Sequence, residues 1–303
     1  MRDAFVRSLS ELAEQNDRIV LITGDLGFGV LDDFARRFPK QFINAGVAEQ
    51  NMTALACGMA LEGYQVYTYS IGNFPTLRCL EQIRNDVCYH EADVKIVSIG
   101  GGFSYGQLGM SHFATEDIAI MRALPNMTVV VPSDPWEAAE LTRQIAAIPG
   151  PTYLRLDKSA AGLPEGPVQL GRSRSVRAGT DVLLVAIGGI VEEAMAAADI
   201  LSAEGISAGV QVVGTVKPLD PALVAAVGNA AAVVVIEEHT VMGGLAGALA
   251  EACLSAGESP PKFLRVGLPD IYPTIVGDQK YLRNAYEMDA AAIAVKTRGL
   301  LAK

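Results

Sequence analysis

Glu49 stands in the stretch Gly46-Val47-Ala48-Glu49-Gln50-Asn51-Met52, where an apolar strand pattern gives way to a helix of small residues. A carboxyl group at such a joint can hold a proton against a ring nitrogen, provided burial raises its pKa. The plainer alternative is a first-turn glutamate favoured by the helix dipole. His112, one of three histidines, lies just before a helix start marked by Glu116 and Asp117, and is a candidate proton carrier. Phe74, in Ser70-Ile71-Gly72-Asn73-Phe74-Pro75-Thr76-Leu77-Arg78, is placed to stack on a flat heteroaromatic ring or to serve as a hydrophobic staple. Arg78, one turn into the helix, suits an anion or a plain surface charge. Asp25-Leu26-Gly27-Phe28-Gly29 lets backbone approach a ligand but lacks the spacing of a phosphate loop.

Each of these segments follows a strand pattern, and open α/β sheets bind ligands at strand carboxyl ends. Their convergence carries more weight than any one of them. Aliphatic runs at Ile19–Thr23, Val66–Tyr69, Val94–Ile99, Thr128–Val131 and Thr152–Leu156 read as buried parallel strands. Helical patterns at about 2–16, 48–62, 75–89, 117–123 and 135–147 alternate with them. A Gly/Pro-rich stretch from Asp157 to Thr180 interrupts the alternation and reads as a linker with some extended backbone. A second series follows, with strands at Asp181–Ile187, Ser207–Val213, Val233–Glu237 and Phe263–Val266 and helices at 190–203, 243–255 and 289–301. The expected fold is therefore two doubly wound α/β domains, residues 1–160 and 181–303, joined by a linker over 161–180.

The 303 residues are half hydrophobic and 19% charged, as a packed globular chain requires. A net charge of −10 argues against nucleic-acid and anionic-membrane partners. No apolar run is long enough to span a bilayer, and the N-terminus carries no signal core, so a soluble cytoplasmic protein is expected. Cys57, Cys79, Cys88 and Cys253 form no CxxC pair and read as buried thiols of a reducing compartment.

The motifs GVAEQNM (46–52), YSIGNFPTLRCLEQIRNDV (69–87), SH…EDIA (111–119), RALPNMTVVVPSD (122–134), PTYLRLDK (151–158) and VVIEEHTVMGGL (234–245) together resemble the C-terminal half of transketolases and of 1-deoxyxylulose-5-phosphate synthases. The resemblance implies a pyrimidine-binding domain for thiamine diphosphate followed by a transketolase C-terminal-like domain. It implies that Glu49 activates the cofactor's aminopyrimidine, that Phe74 stacks on that ring with Tyr69 and Ile71 nearby, and that His112 faces the substrate. Asp25 falls near the loop closing the cofactor pocket. Arg78 joins the cofactor-binding set, and Arg155 and Lys158 fall near a basic position used for sugar phosphates.

Two departures qualify the match. The family's acidic residue four before the matching histidine is here Leu108, and a further histidine is replaced in the Gly100–Gly102 run, which points to an unusual sugar. The Gly-Asp-Gly…Asn module that holds the diphosphate and Mg²⁺ has only partial echoes, Gly24-Asp25-Leu26 and Gly277-Asp278-Gln279. The expectation is the smaller subunit of a split transketolase, with no metal ligands of its own. A partner subunit would carry the diphosphate/Mg²⁺ module in an α2β2 or similar assembly, with an apolar docking patch on this chain. The β subunit of a 2-oxo acid dehydrogenase and a non-catalytic regulatory subunit are the alternatives.

Overall fold

Strands without polar alternation are buried on both faces, so the aliphatic runs become the interiors of two parallel sheets. The computed structural model describes residues 1–258 and 262–303. The first sheet contains β1 (Ile19–Thr23), β2 (Phe42–Asn44), β3 (Gln65–Ile71), β4 (Val94–Ile99), β5 (Thr128–Val130) and β6 (Thr152–Leu156), paired in parallel. The second contains β7 (Ser173–Arg177), β8 (Val182–Ile187) and β9 (Ala208–Val213), and, after the short β10 (Thr215–Lys217), also β11 (Val233–Thr240) and β12 (Phe263–Leu268). The strand orders are β10-β5-β6-β4-β3-β1-β2 and β12-β11-β8-β9-β7.

Two edge strands depart from the expected division. The segment expected as a linker contains β7, which pairs antiparallel with β9. β10, from the second half of the chain, pairs antiparallel with β5 and closes an edge of the first sheet. Lys217 at its end donates from Nζ to the carbonyl oxygens of Arg122 (3.1 Å) and Leu124, at the C-terminal end of helix Asp117–Ala123.

Helices Arg2–Gln15 and Pro135–Ala146 cover one face of the first sheet, with Phe5, Leu9, Ala138 and Leu141 in one apolar cluster with Tyr67 and Tyr69. The other face is covered by helix Glu49–Leu61 and by a segment that passes from a 3₁₀ turn (Leu77–Cys79) into π-helical geometry (Ile83–Cys88). Met52, Ala56, Ile83 and Val87 from these elements share a cluster with Val185, Val233, Leu245 and Leu249 of the second half. The two sheets are thus bonded through a common helical layer. The far side of the second sheet packs under helices Val191–Ala203 and Ala290–Leu301.

Buried charges also join the halves. The Glu238 carboxylate accepts from Phe103 N (2.6 Å), Gln279 Nε2 (2.8 Å) and Arg283 Nε, and Arg283 also reaches Glu192 and Ser159 Oγ (2.8 Å). This packing explains part of the Gly100–Gly102 run. Gly102 has φ +57°, and a Cβ there would lie 2.4 Å from a Glu238 oxygen. Among the described residues, no helix is long and apolar enough to cross a membrane.

Candidate active site

Glu49 opens helix Glu49–Leu61, and its side chain is buried beside the backbone of Gly24, where a Cβ would sit 3.2 Å from Glu49 Cγ. Its Oε2 accepts from Arg78 Nη1 at 2.7 Å. The Arg78 guanidinium carbon lies 4.7 Å from the centre of the Phe74 ring. Phe74 in turn meets His112 at 5.2 Å between ring centres, with the planes at 70°. Tyr105 is 6.3 Å beyond His112, and Lys158 Nζ sits 3.6 Å from the Tyr105 ring centre. A carboxylate, a flat cation, an aromatic ring, an imidazole and an ammonium group therefore follow one another along the strand ends.

The chain folds locally to hold this row. Gly72, at φ +47°, turns the backbone out of β3, and a Cβ there would come 3.2 Å from the carbonyl oxygen of His112. Asn73 donates to the Phe113 carbonyl, and Thr76 Oγ1 donates back to Gly72 O at 3.1 Å. The first bond stitches the Phe74 turn to the His112 loop, and the second closes the turn on itself. His112 Nδ1 is 2.9 Å from Ser111 Oγ, and partial burial holds its imidazole below the ordinary histidine pKa. The ring is therefore neutral near pH 7, able to donate from one nitrogen and accept at the other.

Asp25 follows β1 in the left-handed region (φ +56°) and is fixed by Asn44, whose amide donates to Asp25 Oδ1 (2.9 Å) and accepts from Asp25 N (3.1 Å). Asn44 was not among the expected site residues. Its signal was only its place at the end of β2, a strand too short to stand out.

Three expected site residues are not brought to this row. Tyr69 and Ile71 lie on the sheet face that packs against helix Arg2–Gln15, whereas helix Glu49–Leu61 covers the other face. Successive strand residues alternate faces, so nearness in sequence to Phe74 did not carry them to its side. The Tyr69 ring is fully buried at 6.2 Å from Phe5, and burial raises its phenol pKa. Arg155 is also buried. Its guanidinium faces Asp157 (3.3 Å) and Asp117 (3.6 Å) and donates to Glu238 O (2.9 Å), so it is committed to the charge cluster between the halves and has no free face for a sugar phosphate. Lys158, by contrast, is exposed and borders a cleft of about 380 Å³ with Tyr105, Gln107, Asp278 and Gln279.

The sequence matches the description "Transketolase, pyrimidine binding domain" over residues 1–164 and "Transketolase, C-terminal domain" over residues 171–293. The chain belongs to the transketolase family. Among transketolase relatives it is 37% identical over 299 residues to the 6-deoxy-6-sulfo-D-fructose transketolase subunit SqwH of Clostridium sp., covering 97% of this chain and 92% of that protein. It is 34% identical to one subunit of the apulose-4-phosphate transketolase of Phocaeicola vulgatus, covering 89% of this chain and 87% of that protein. A solved split-gene transketolase, described as an inactive β4 tetramer, superposes with a TM-score of 0.88 at 35% identity, covering 99% of this chain and 97% of that one. The transketolase fold, with its pyrimidine-binding and C-terminal domains, thus accounts for the whole architecture.

Exposed apolar side chains flank the row in sequence. Val47 is two residues before Glu49, Leu77 is next to Arg78, and Phe28, 78% exposed, follows Asp25 by three residues. Among the described residues, no group of three or more His, Cys, Asp or Glu side chains is arranged to hold a metal ion.

Proposed function

We propose that this chain is the smaller subunit of a split, thiamine diphosphate-dependent transketolase that moves a two-carbon ketol unit from a ketose or ketose phosphate to an aldehyde. The observation that carries the reading is the buried Glu49 carboxylate linked to the Phe74 ring through the Arg78 guanidinium. The pair already holds a flat, nitrogen-rich cation, the Arg78 guanidinium, which stands in for a nitrogen-bearing ring. The residues present therefore fit the pyrimidine end of the cofactor. They do not fit its diphosphate, because the Gly-Asp-Gly…Asn module is lacking and the Gly277-Asp278 segment instead caps helix Gln279–Ala285 through Asp278.

When bound, thiamine diphosphate supplies the electron sink for cleaving the bond beside a ketose carbonyl. Glu49 would share a proton with the far pyrimidine nitrogen, from a site that excludes water. Phe74 would fix the plane of the ring. His112, neutral and next to Phe74, would take or return a proton at the substrate hydroxyl or bind the developing alkoxide. Lys158 would meet the anionic end of the substrate across Tyr105. Asp25 would sit at the rim of the pocket.

Two features support a second polypeptide as the source of the diphosphate and Mg²⁺ end. One is the missing module; the other is the exposure of Val47, Leu77 and Phe28, next in sequence to the site residues, in keeping with a docking face. We propose an α2β2 assembly and, since all four cysteines are buried free thiols, a cytoplasmic one. The names of the relatives, one given for 6-deoxy-6-sulfo-D-fructose and one for apulose-4-phosphate, together with Leu108 in place of an acidic residue, favour an uncommon donor ketose over a common pentose phosphate. The test is reconstitution with a polypeptide that carries Gly-Asp-Gly…Asn. The pair should transfer ketol units and the isolated chain should not. Turnover by the isolated chain with cofactor and Mg²⁺ would refute the shared site, and pyruvate decarboxylation by the pair would move it to the 2-oxo acid dehydrogenases.

A further inference from the structure

The geometry points to Arg78 as a displaceable latch: its side chain fills the slot that the aminopyrimidine must take, so cofactor binding has to expel it. This rests on the cofactor reading above. A ring that bonds Glu49 Oε2 and stacks on Phe74 needs the same edge of the carboxylate and the same neighbourhood of the ring that the guanidinium holds at 2.7 Å and 4.7 Å. A guanidinium is planar and stacks on aromatic faces, so it occupies the same space as the ring, although it offers Glu49 a donor where the ring nitrogen offers an acceptor. The two therefore compete for Glu49 Oε2 and for the neighbourhood of the Phe74 ring.

The Arg78 side chain is built to leave. It projects from a 3₁₀ turn, is 46% exposed, and among the described residues its side-chain hydrogen bonding is to Glu49 alone. Glu49, by contrast, is 3% exposed and fixed in a helix. The buried carboxylate of the empty site needs a partner, because an unpaired buried charge is costly. Arg78 supplies it with a donor. The ring nitrogen instead presents an acceptor, and Glu49 must then carry the proton. The exchange therefore swaps an ion pair for a proton-sharing bond and frees a cation toward the mouth of the site. A chain lacking its partner keeps the slot closed, and the anchoring of the diphosphate by that partner would provide the free energy to open it.

The test is thiamine diphosphate affinity of the assembled pair, read by fluorescence quenching or circular dichroism titration, for the wild type and for Arg78→Ala, Arg78→Gln and Arg78→Lys. Removing the latch should tighten binding by about fivefold, the worth of a half-exposed ion pair with a cation–π contact. The partner-free Arg78→Ala chain should melt below the wild type, and in a Glu49→Gln background the affinity gain should shrink. Lys, which keeps the charge but not the plane, should fall between Ala and Arg. Unchanged or weaker cofactor binding in both Arg78→Ala and Arg78→Gln would overturn the latch while leaving the cofactor reading intact. A wild-type pair that binds no thiamine diphosphate would overturn both.

Discussion

Replacing Glu49 by glutamine separates catalysis from stability more sharply than any other single change. The two side chains have the same shape, and the glutamine amide oxygen can still accept from Arg78. What is lost is the carboxyl proton. The lost ion pair is with a guanidinium 46% exposed to solvent, so screening discounts it, and the folded chain should lose less than about 1 kcal/mol. In a chain of this length that corresponds to a melting shift of no more than about 4 °C. The proton role is worth far more. General acid–base groups contribute roughly 10²–10⁴ in rate, about 3–5 kcal/mol of barrier. The expected outcome for the reconstituted pair is turnover reduced at least about a hundredfold, with assembly and melting temperature nearly unchanged. Initial rates on a ketose donor, followed through the released aldehyde, and calorimetric unfolding of the same preparations would measure both. A Glu49→Gln pair that keeps more than about a tenth of wild-type turnover would refute the reasoning, since general acid–base groups typically contribute about a hundredfold or more. So would a large fall in melting temperature, which would make Glu49 a structural residue.

Phe74→Ala should weaken thiamine diphosphate binding by about tenfold, the worth of one aromatic stack, as seen by titration of the pair. Because burial lowers the His112 pKa, the acid limb of the rate profile should lie below the ordinary histidine value of about 6.5, the rate falling as pH drops through it. His112→Asn should lower the rate and abolish that limb; a limb unmoved in the variant would assign it elsewhere. Arg283→Ala leaves Glu238 buried and short of its cation, and should destabilise the chain by about 3–5 kcal/mol in denaturant unfolding. A change within about 1 kcal/mol of zero, on the order of a surface substitution, would argue against the cluster as a clamp between the halves.

The aliphatic runs carried the fold plainly. Ile19–Thr23, Val94–Ile99 and Thr152–Leu156 are strands over those same residues, because a strand buried on both faces needs unbroken apolar sequence. Phe42–Asn44 and Thr215–Lys217 were not legible: three residues give no period, and the second is an edge strand whose partner lies some 85 positions earlier. Helix Pro221–Asn229 was also missed, although Asp220 caps it and Pro221 opens it. At the candidate site, Glu49 opens its helix, Phe74 lies in the turn after β3 and His112 closes a 3₁₀ turn, so the strand-end rule that singled them out in the sequence also describes where they stand. Tyr69 and Ile71 were misplaced for want of strand parity, and Arg155 because a basic residue in a strand looks the same whether it faces substrate or a buried pair of aspartates. The contact between Arg78 and Glu49 joins residues 29 positions apart and has no local signature.

The exchange of β10 into the first sheet bears on how this polypeptide can be cut. Cleavage in the glycine- and proline-rich stretch near residue 165 would look, on composition, like a clean separation of two modules. It would instead strip β5 of its antiparallel neighbour and bare its unpaired amides and carbonyls, together with the apolar layer shared by both sheets. Neither fragment should persist as a monodisperse species. Recombination between relatives at that point would succeed only where the donor brings a compatible three-residue strand some fifty positions downstream, so the two modules must be inherited as a unit.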